Sequence, residues 1–396
     1  MMDLTEIKRC LACDSDQLVP VLDLNDQPLA NSYKKNKDDH EDSYPLKIHR
    51  CENCYHVQLT HAVNPDLIYK NYLYVSGTTS TYVEYMDWFA DFCLEKYGRI
   101  TPFTVLDIGC NDGSQLNKFK SRGIKTYGVD PAENLHSLSS ANHEVVCGYF
   151  DETYSNKADI IVCQNAFAHN PNPVEFLKNC KRNLEHSGLI FIQTSQADMI
   201  LNNEFDTIYH EHISFYNIHS MKLLCRRAGL NLIDVVKTPI HGISYIFVIS
   251  ADKTAEATVK NLIDMEAVAG LYKTKTYWEY ENKCLNMVSS FSTFVDYCRD
   301  QGYKIVGYGA PAKGNTLLNF SKVKMDMIID DNPLKQGLYT PGSSIGIVGS
   351  DVLKSFTEDD KIMFVPLAWN FFDEIRKRIL AQRDNPNDKF LNLKDL

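Results

Sequence analysis

The chain has 396 residues, of which 44% are hydrophobic and 23% are charged, and its formal net charge is −10. This composition is typical of a globular protein and excludes a disordered one. The length predicts two or three hydrophobic cores, which excludes a single small binding module.

The charge balance and hydropathy limit the partners. Acidic side chains outnumber basic ones by 51 to 41, so we expect no surface for a phosphate backbone and no nucleic acid partner. No window approaches the ~18 to 20 consecutive apolar residues of a membrane span, and the N-terminus lacks the basic and apolar regions of a signal peptide. The sequence therefore predicts a soluble, cytoplasmic protein with no membrane partner, in which the twelve cysteines stay reduced.

Four cysteines near the N-terminus form two C-x-x-C pairs, Cys10 with Cys13 and Cys51 with Cys54. Two such pairs supply four thiolates, the closed tetrahedral shell of structural Zn²⁺, with no position left for water chemistry. A redox dithiol would need one pair at the start of a helix, and neither pair lies in that pattern. The sequence predicts a structural zinc site, and residues 14–50 between the pairs are expected to form strands.

Residues 102–115 read PFTVLDIGCNDGSQ, which predicts a buried strand, a tight turn and a helix. Gly109 and Gly113 allow a cofactor to lie against bare backbone, and Asp107 falls at the carboxyl end of the strand. A second strand ends in Asp130, 23 residues after Asp107. This is about the spacing at which an acidic residue reaches a ribose diol.

The turn reads D-I-G-C-N-D-G, not the G-x-G-x-x-G of a dinucleotide site. It resembles motif I of class I S-adenosylmethionine methyltransferases, which implies S-adenosylmethionine as cofactor and Asn111 among its contacts. Residues 158–170 and 187–195 predict the fourth and fifth buried strands, and Asn165 just past the fourth is expected beside the cofactor. An unrelated α/β turn is the alternative.

Residues 204–216 read EFDTIYHEHISFY and place Tyr209, His210, Glu211 and His212 in consecutive positions. The segment lacks the H-E-x-x-H spacing of a zinc hydrolase. In a strand or extended loop, the tyrosine and glutamate would face one way and the two histidines the other. One of the histidines could then be a core residue satisfied by a hydrogen bond.

Several further motifs are specific in combination with the two C-x-x-C pairs. They are YLYVSGTTS at 72–80, LDIGCNDGS at 106–114, GVDPAEN at 128–134, NAFAH at 165–169, FDTIYHEHISFY at 205–216, GYGAPAKGNTLLNF at 307–320, IDDNPLKQGLYTPG at 329–342 and PLAWNFFDEI at 366–375. Through these motifs essentially the whole chain resembles the sugar C-3'-methyltransferase family, which acts on nucleotide-linked 4-keto-deoxy sugars.

The resemblance implies a reaction that chemistry can explain. A sugar carbon becomes nucleophilic when a base removes the proton next to a ketone, and hydrogen-bond donors then stabilise the enolate. The family motif places His212 as the base that takes the C-3 proton. Glu211 and Tyr209 would position it or contact the sugar. His169 and Tyr74 match residues of the same cleft and would hydrogen-bond the keto oxygen or a hydroxyl.

The C-terminal part predicts a second α/β unit. Residues 254–298 have helical composition. After them, Gly307, Gly309 and Ala312 satisfy G-x-G-x-x-A, with Asp330 a further 23 residues on from the first glycine. Taken alone, this fingerprint favours a rival function, an NAD-dependent oxidoreductase acting on a nucleotide sugar. A non-catalytic scaffold of the same fold is a third hypothesis.

Two features count against a dinucleotide at this turn. Pro311 stands where the turn should become helix, and Lys313 at the helix start, with nearby backbone N–H groups, suits a diphosphate. The resemblance implies that this Rossmann-like domain helps to bind the nucleotide sugar. The substrate contacts proposed here are Tyr308, Gly309, Ala310, Lys313 and Asn315.

The chain departs from the family pattern at Gln193, where an acidic residue often stands, and at Ile243, where H-G-G-S has become H-G-I-S. Both departures bear on substrate identity more than on reaction class.

We expect a zinc-binding domain at 1–70, a class I methyltransferase domain at 71–253 and a second Rossmann-like domain at 254–396. A thymidine diphosphate sugar is the first substrate candidate and a guanosine diphosphate sugar the second. The oligomeric state is left open, with a monomer favoured.

Overall fold

A computed structural model describes residues 3–78, 80–98, 103–194, 198–240, 242–254 and 257–395, so His241 of the H-G-I-S motif lies outside it. The fold is mixed α/β. The strands are β1 Leu4–Glu6, β2 Leu18–Pro28, β3 Ser43–Cys51, β4 Val57–Leu59, β5 His61–Val63, β6 Thr104–Ile108, β7 Lys125–Asp130, β8 Glu144–Cys147, β9 Ala158–Gln164, β10 Leu184–Thr194, β11 Ser214–Phe215, β12 Asn231–Thr238, β13 Ser244–Ser250, β14 Lys304–Tyr308, β15 Met327–Ile329, β16 Ile347–Val348, β17 Ile362–Pro366 and β18 Lys389–Phe390.

The helices connect these strands and cover the sheets. They are α1 Asp66–Tyr69, α2 Ser80–Tyr97, α3 Ser114–Lys120, α4 His136–Ser139, α5 Pro173–Asn183, α6 Met199–Asn202, α7 Ile218–Arg227, α8 Ala257–Val268, α9 Thr274–Asp300, α10 Ala312–Ser321 and α11 Phe372–Leu380. The helical composition of residues 254–298 is thus realised in α8 and α9. Among the described residues, no helix has both the length and the apolar character needed to cross a membrane.

The chain forms two compact units, each built from separate stretches of sequence. The first unit comprises residues 1–21, 48–198 and 211–276, and the second comprises residues 22–47, 199–210 and 277–396. The three consecutive segments expected from the sequence remain a prediction about how the chain is divided by function.

The first unit contains a seven-stranded sheet in the order β12-β13-β10-β9-β6-β7-β8. All of its strand pairs are parallel except those of β13, which runs antiparallel to both neighbours. The predicted strands of the cofactor region are confirmed as β6, β7, β9 and β10. They are buried on both faces, which explains their continuous apolar sequences. The strand order reverses between β6 and β9, and ligands bind beyond the carboxyl ends of strands at such a reversal.

The cysteine pairs of the first unit flank a smaller sheet with the order β11-β4-β3-β2. The expected strands between the two pairs are confirmed as β2 and β3, whose distal residues belong to the second unit. In the first unit, β4 pairs antiparallel with β3 and with β11. Strand β11 follows His212 directly, so this sheet adjoins the predicted base.

The second unit contains a parallel five-stranded sheet in the order β16-β15-β14-β17-β18. Its order reverses between β14 and β17, which makes the turns after these two strands the expected ligand position. Helix α10 follows β14 and begins at Ala312, with Pro311 extended as its N-cap residue. The proline thus ends the turn without interrupting the helix.

Candidate functional site

The four predicted metal-ligating cysteines lie together in the first unit. The Sγ atoms of Cys10 and Cys54 are 3.6 Å apart, those of Cys13 and Cys51 are 3.5 Å apart, and all four lie within 4.8 Å of one another. Each short contact joins one pair to the other. Thiolates around a tetrahedral zinc with Zn–S bonds of about 2.3 Å lie about 3.8 Å apart, so the cluster fits Zn²⁺.

The two C-x-x-C pairs adopt the same turn. The N–H of Asp14 donates to the carbonyl of Cys10 at 2.8 Å, and the N–H of Tyr55 donates to that of Cys51 at 3.0 Å. Asp14 (φ 67°) and Tyr55 (φ 56°) both adopt the left-handed conformation, which is costly for a non-glycine residue. The same closed turn, formed twice, brings both sulfurs of each pair to the cluster.

Gln58 attaches the first cysteine turn to strand β4. Its side chain is fully buried, its Oε1 accepts from the Leu11 N–H at 2.9 Å and its Nε2 donates to the Arg9 carbonyl at 3.0 Å. The next residue of the strand, Leu59, donates its N–H to the carbonyl of Ile213 at 2.9 Å. The cysteine cluster is therefore linked through one short strand to the residue that follows His212.

Gly109 brings together the two loops at the strand-order reversal. Its φ is 79°, and its N–H donates to the Val129 carbonyl at 2.8 Å. A Cβ at this position would lie 2.6 Å from the Cβ of Ala166 in the loop after β9, so a side chain would force the loops apart. Gly113, with φ 81°, precedes α3 as its N-cap residue. A Cβ at the buried Gly113 would lie 3.1 Å from Ser139 Cα, so both glycines adopt a left-handed conformation and allow a close approach that a side chain would hinder.

Three carboxylates surround this turn. Asp107 is buried, and burial, together with the charges of Asp130 and Asp112, raises its pKa to about 8. Burial also raises the pKa of Asp130, although its oxygens accept from the backbone N–H groups of Asn111 and Ala132, both at 2.8 Å. A cationic ligand would relieve this repulsion. The cofactor proposed from the sequence carries both an ammonium and a sulfonium group, so the residues fit it.

Asn165 follows β9 at the same reversal, as expected from the sequence. It adopts φ 55°, and its N–H donates to the Gln193 carbonyl at 3.0 Å. Its Nδ2 donates to the Tyr82 hydroxyl at 3.4 Å, whereas its buried Oδ1 has no hydrogen-bond partner among the described residues. Such an unsatisfied acceptor indicates a ligand donor at this position.

Gln193, one of the departures from the family pattern, uses both ends of its amide. Its Oε1 accepts from the Tyr85 hydroxyl at 2.8 Å and from Gln164 Nε2 at 3.0 Å, and its Nε2 donates to Ser244 Oγ at 3.5 Å. A carboxylate could accept from the same donors but could not donate to the serine. The amide therefore suits this fully buried position.

The predicted catalytic segment does not form an extended strand. Residues 204–213 form turns and irregular structure, and the strand comprises only β11, so the strand alternation expected for residues 209–212 does not apply. The N–H of Ile213 donates to the Ala168 carbonyl at 2.9 Å, which ties the segment to the loop after β9. Glu211 and His212 are both buried in the first unit.

The two predicted catalytic histidines lie against each other. The rings of His169 and His212 stack with their centroids 5.4 Å apart, and Tyr69 also stacks on His169 at 5.4 Å. Burial lowers the pKa of His169 to about 4, so this imidazole is neutral near pH 7. His169 can therefore serve as a hydrogen-bonding group but not as a charged acid at that pH.

Two tyrosines that the sequence analysis did not single out contact Glu211. The Tyr72 hydroxyl donates to Glu211 Oε2 at 2.8 Å, and the Tyr69 hydroxyl donates to the Glu211 carbonyl at 3.4 Å. Tyr72 is the first residue of the YLYVS motif, so the motif contained the residue that contacts Glu211 even though Tyr74 was the one predicted. Tyr74, the residue of this motif that was predicted for the cleft, has a side chain that is 45% exposed.

The other two residues of the predicted cluster belong to the second unit. His210 is buried, its Nε2 lies 3.1 Å from the Tyr44 carbonyl, and burial lowers its pKa to about 4. This is the core histidine that the sequence left open as one of two possibilities. Tyr209 is partly buried beside it in the chain.

The glycine turn after β14 contacts residues 30–34 within the second unit. The Tyr33 hydroxyl and Lys335 Nζ both donate to the Ala310 carbonyl, at 2.5 and 2.7 Å. Asn315 is fully buried, and its Nδ2 donates to the Ala30 carbonyl at 2.7 Å. Gly309 adopts φ 83°. Gly309 and Ala310 thus lie in a turn whose Ala310 carbonyl already binds protein donors, whereas Asn315 lies in α10 and its buried Oδ1 has no hydrogen-bond partner among the described residues.

Lys313 has a different environment in the second unit. Its Nζ is buried without a hydrogen-bond partner among the described residues and lies 5.1 Å from the centroid of the Trp369 ring. Lys394 Nζ lies 4.6 Å from the same ring, and the indole N–H of Trp369 donates to Asp206 Oδ2 at 2.5 Å. Lys313 follows β14 and Trp369 follows β17, so both lie at the strand-order reversal of this sheet. An unsatisfied ammonium there suits an anionic ligand.

Three family models match consecutive parts of the chain. The model described as "Putative zinc binding domain" matches residues 10–69, "Methyltransferase domain" matches 82–235 and "C-methyltransferase C-terminal domain" matches 239–390. Among curated proteins, C-methyltransferase NovU of Streptomyces niveus is 28% identical over 386 residues, covering 93% of this chain and 91% of that protein.

Two solved methyltransferase structures match less than half of the chain. A methyltransferase from Clostridium acetobutylicum has 13% identity and a TM-score of 0.36, covering 43% of this chain and 92% of that one. Magnesium protoporphyrin IX methyltransferase from Synechocystis, solved with bound S-adenosylmethionine, has 12% identity and a TM-score of 0.34, covering 42% and 78%.

The fold, the glycine turn and the three domain matches define an S-adenosylmethionine-dependent methyltransferase with a zinc-binding N-terminal segment. Within this class, the chain is similar to the C-methyltransferases, through the C-terminal domain match and the nearly full-length relative. The predicted fold class, enzyme class, S-adenosylmethionine cofactor and zinc are thereby confirmed. The substrate and the roles of individual residues remain predictions.

Proposed function

We propose that this enzyme methylates C-3' of a nucleotide-linked 4-keto-6-deoxy sugar. The observation that carries the proposal is the stacking of the partly buried His169 imidazole on the buried imidazole of His212, beside Glu211 and next to the strand-order reversal of the methyltransferase sheet. Such a group can remove a proton from carbon within reach of a bound methyl donor. A histidine base could also serve methylation of an oxygen or nitrogen, and the match to a C-methyltransferase C-terminal domain is what favours carbon.

His212 is the proposed base. It takes the C-3 proton, and the electrons of the C–H bond move to the 4-keto oxygen to form an enolate. The bound cofactor supplies an electrophilic methyl group. The enolate carbon would then form the new C–C bond as the methyl–sulfur bond of the cofactor breaks with its electrons passing to sulfur, which would restore the 4-keto group and leave S-adenosylhomocysteine. Removal of a C-3 proton is feasible only because the adjacent keto group accepts the charge, which is why we propose a 4-keto sugar.

The other residues of the cluster hold and polarise the substrate. His169 is neutral at pH 7 and so can donate one N–H to the developing oxyanion without competing with His212 for the proton. Glu211, which accepts from Tyr72, fixes the orientation of the base. Tyr74 and Tyr209 are proposed as hydroxyl donors to the sugar.

The nucleotide part is proposed to bind through the second unit. Lys313 would pair with the diphosphate, since its buried ammonium has no hydrogen-bond partner among the described residues. Tyr308, Gly309, Ala310 and Asn315 are retained as proposed contacts around it. Thymidine diphosphate is the first candidate carrier and guanosine diphosphate the second.

A panel of 4-keto-6-deoxy sugars linked to thymidine, guanosine and cytidine diphosphates tests the substrate. We expect turnover with the thymidine diphosphate sugar to give a new methyl resonance at C-3' by NMR. Turnover of none of them, with S-adenosylhomocysteine still bound in a thermal-shift assay, would reject the sugar substrate. A thermal shift with NAD instead of S-adenosylhomocysteine would support the oxidoreductase hypothesis.

A further inference from the structure

Residues 70–78 of the first unit form a segment that we name the strap. It connects α1 to α2 and has no regular structure before a short 3₁₀ turn at its end. The carbonyl of Lys70 accepts from the Glu133 N–H at 3.1 Å. The Tyr72 N–H donates to Asn134 Oδ1, and Asn134 Nδ2 donates to the Tyr72 carbonyl, both at 2.9 Å. The side-chain amide of Asn134 thus makes the two hydrogen bonds with the Tyr72 backbone that a neighbouring β-strand would make. Asn134 lies shortly after β7 in the chain.

The turn after β6 binds the rest of the strap. Asn111 Nδ2 donates to the Tyr74 carbonyl and Asn111 Oδ1 accepts from the Ser76 N–H, both at 3.0 Å. Asp112 Oδ2 accepts from the Gly77 N–H at 3.0 Å. A Cβ on Gly77 would lie 2.7 Å from that oxygen, so the strap fits closely against the turn. The backbone of the strap is therefore satisfied by side chains of the two cofactor turns.

The same strap reaches the catalytic segment through one side chain. The Tyr72 hydroxyl donates to Glu211 Oε2 at 2.8 Å, and Glu211 precedes His212. A continuous series of contacts thus runs from Asn111 and Asn134 through the strap to the catalytic pair. The proposed cofactor contact Asn111 gives one N–H of its Nδ2 and one lone pair of its Oδ1 to the strap. The amide has a second donor and a second acceptor position, so a ligand that moves this amide also moves the strap.

We propose that the strap couples the cofactor site to the catalytic base. Tyr72 is a positioning residue that acts through Glu211, and the ligand state of the turns after β6 and β7 sets where Glu211 and His212 lie. The physical basis is a shift between two arrangements of one segment, because a ligand that moves the Asn111 amide also moves the strap backbone that is hydrogen-bonded to it. The inference rests on the proposed function only in taking His212 as the base.

Hydrogen exchange on the full-length, zinc-loaded protein tests the coupling without any sugar. We expect S-adenosylhomocysteine to change the exchange rates of peptides covering both 70–78 and 204–213 by about threefold or more. In Tyr72→Phe, which removes one hydroxyl, the change at 70–78 should persist and the change at 204–213 should be lost. The affinity for S-adenosylhomocysteine, measured by calorimetry, should stay within about twofold of the unsubstituted protein, since Tyr72 acts on the catalytic side.

Tyr97→Phe is the matched control. The Tyr97 hydroxyl also donates to a carboxylate, that of the partly buried Asp159, with Oδ1 at 2.7 Å, but Tyr97 lies at the far end of α2 from the strap. Both exchange responses should survive in this variant. An unchanged response at 204–213 in Tyr72→Phe would overturn the coupling, as would the absence of that response in the unsubstituted protein. Neither result depends on the sugar, so failure of the substrate proposal is recorded separately by the turnover panel.

Discussion

The imidazole of His169 stacks on that of His212 with a centroid distance of 5.4 Å and an interplanar angle of 27°. Because burial lowers the pKa of His169 to about 4, the two rings are not two equivalent bases near neutral pH. A neutral His169 places no positive charge against His212. The stack therefore keeps one imidazole as a fixed, uncharged neighbour and leaves proton transfer to the other.

The pH dependence of turnover tests this division of roles. His169 does not titrate between pH 5.5 and 8, so replacing it should not move the midpoint of the acid limb of kcat against pH. We expect His169→Gln to lower kcat by about tenfold to a thousandfold through loss of an oxyanion donor, with the midpoint within ~0.3 pH units of the unsubstituted enzyme. A midpoint shift of one unit or more would assign the titration to His169.

The Asp107 carboxylate should lower the free energy of unfolding of the cofactor-free protein and strengthen cofactor binding. Its pKa is about 8 in the folded protein and about 3.9 in an unfolded chain, so ionisation favours unfolding as pH rises through that interval. The loss of stability caused by ionisation of Asp107 is absent below about pH 4 and greatest at about pH 8 and above. Asp107→Asn removes it and should stabilise the cofactor-free protein by about 1 to 4 kcal/mol, more at pH 8 than at pH 5.

Urea unfolding of Asp107→Asn and of the unsubstituted protein, at about pH 5 and pH 8, measures this difference in stability. Calorimetry should show that Asp107→Asn binds S-adenosylmethionine at least tenfold more weakly. Glu144→Gln, an exposed carboxylate on β8 that pairs with Lys125, is the control and should change stability by less than about 0.5 kcal/mol. If Asp107→Asn instead destabilised the protein at pH 8, the carboxyl would be stabilised by contacts beyond those described.

The cysteine cluster should bind one zinc that supports both folding and the catalytic segment. Cys51→Ser should lose the metal, lower the free energy of unfolding by several kcal/mol and loosen β4, whose Leu59 binds the carbonyl of Ile213. Elemental analysis and chemical unfolding measure these effects. Cys147→Ser, at an exposed cysteine outside the cluster, should retain about one zinc per chain. Full stability of a zinc-free Cys51→Ser protein would contradict a structural metal.

Lys313 provides the test of the diphosphate contact. We expect Lys313→Ala to raise KM for the nucleotide sugar by at least tenfold while the affinity for S-adenosylhomocysteine stays unchanged, since the lost charge pairs with phosphate. Lys389→Ala is the matched control because Lys389 Nζ also lies over an aromatic ring, that of Tyr303 at 5.2 Å, and it should leave KM unchanged. Equal KM values in the two variants would remove Lys313 from the substrate site.

Much of the fold could be predicted because its signals are local. The buried strands that end in Asp107 and Asp130, the glycine turn between them and the helices after residue 254 follow from continuous apolar runs, glycine positions and helical composition. The cysteine cluster likewise followed from spacing and ligand count. In the strands, turn and helices, neighbouring residues in the sequence determine the conformation, whereas the cluster was predicted because four thiolates are the ligand number of structural zinc.

The parts that were not predicted depend on contacts between distant residues. Asn134 binds the backbone of Tyr72 across 62 residues, and Tyr72 binds Glu211 across 139. The glycine turn after β14 binds Tyr33 across 277 residues. No local pattern encodes which backbone a buried amide or hydroxyl will satisfy. Strand alternation alone left open which of the two neighbouring histidines is a core residue, and the family motif, not a local pattern, placed His212 as the base; the contact of buried His210 with the Tyr44 carbonyl is again a long-range one.

The central claim is that His212 removes the C-3 proton, and solvent exchange of that proton measures the step directly. His212→Asn should keep its affinity for S-adenosylhomocysteine yet abolish both methylation and deuterium incorporation at C-3 of the keto sugar. His210→Asn, at the core histidine two positions earlier, should lower stability but retain exchange in the folded fraction. Exchange that persists in His212→Asn would contradict the account, because another group would then be the base.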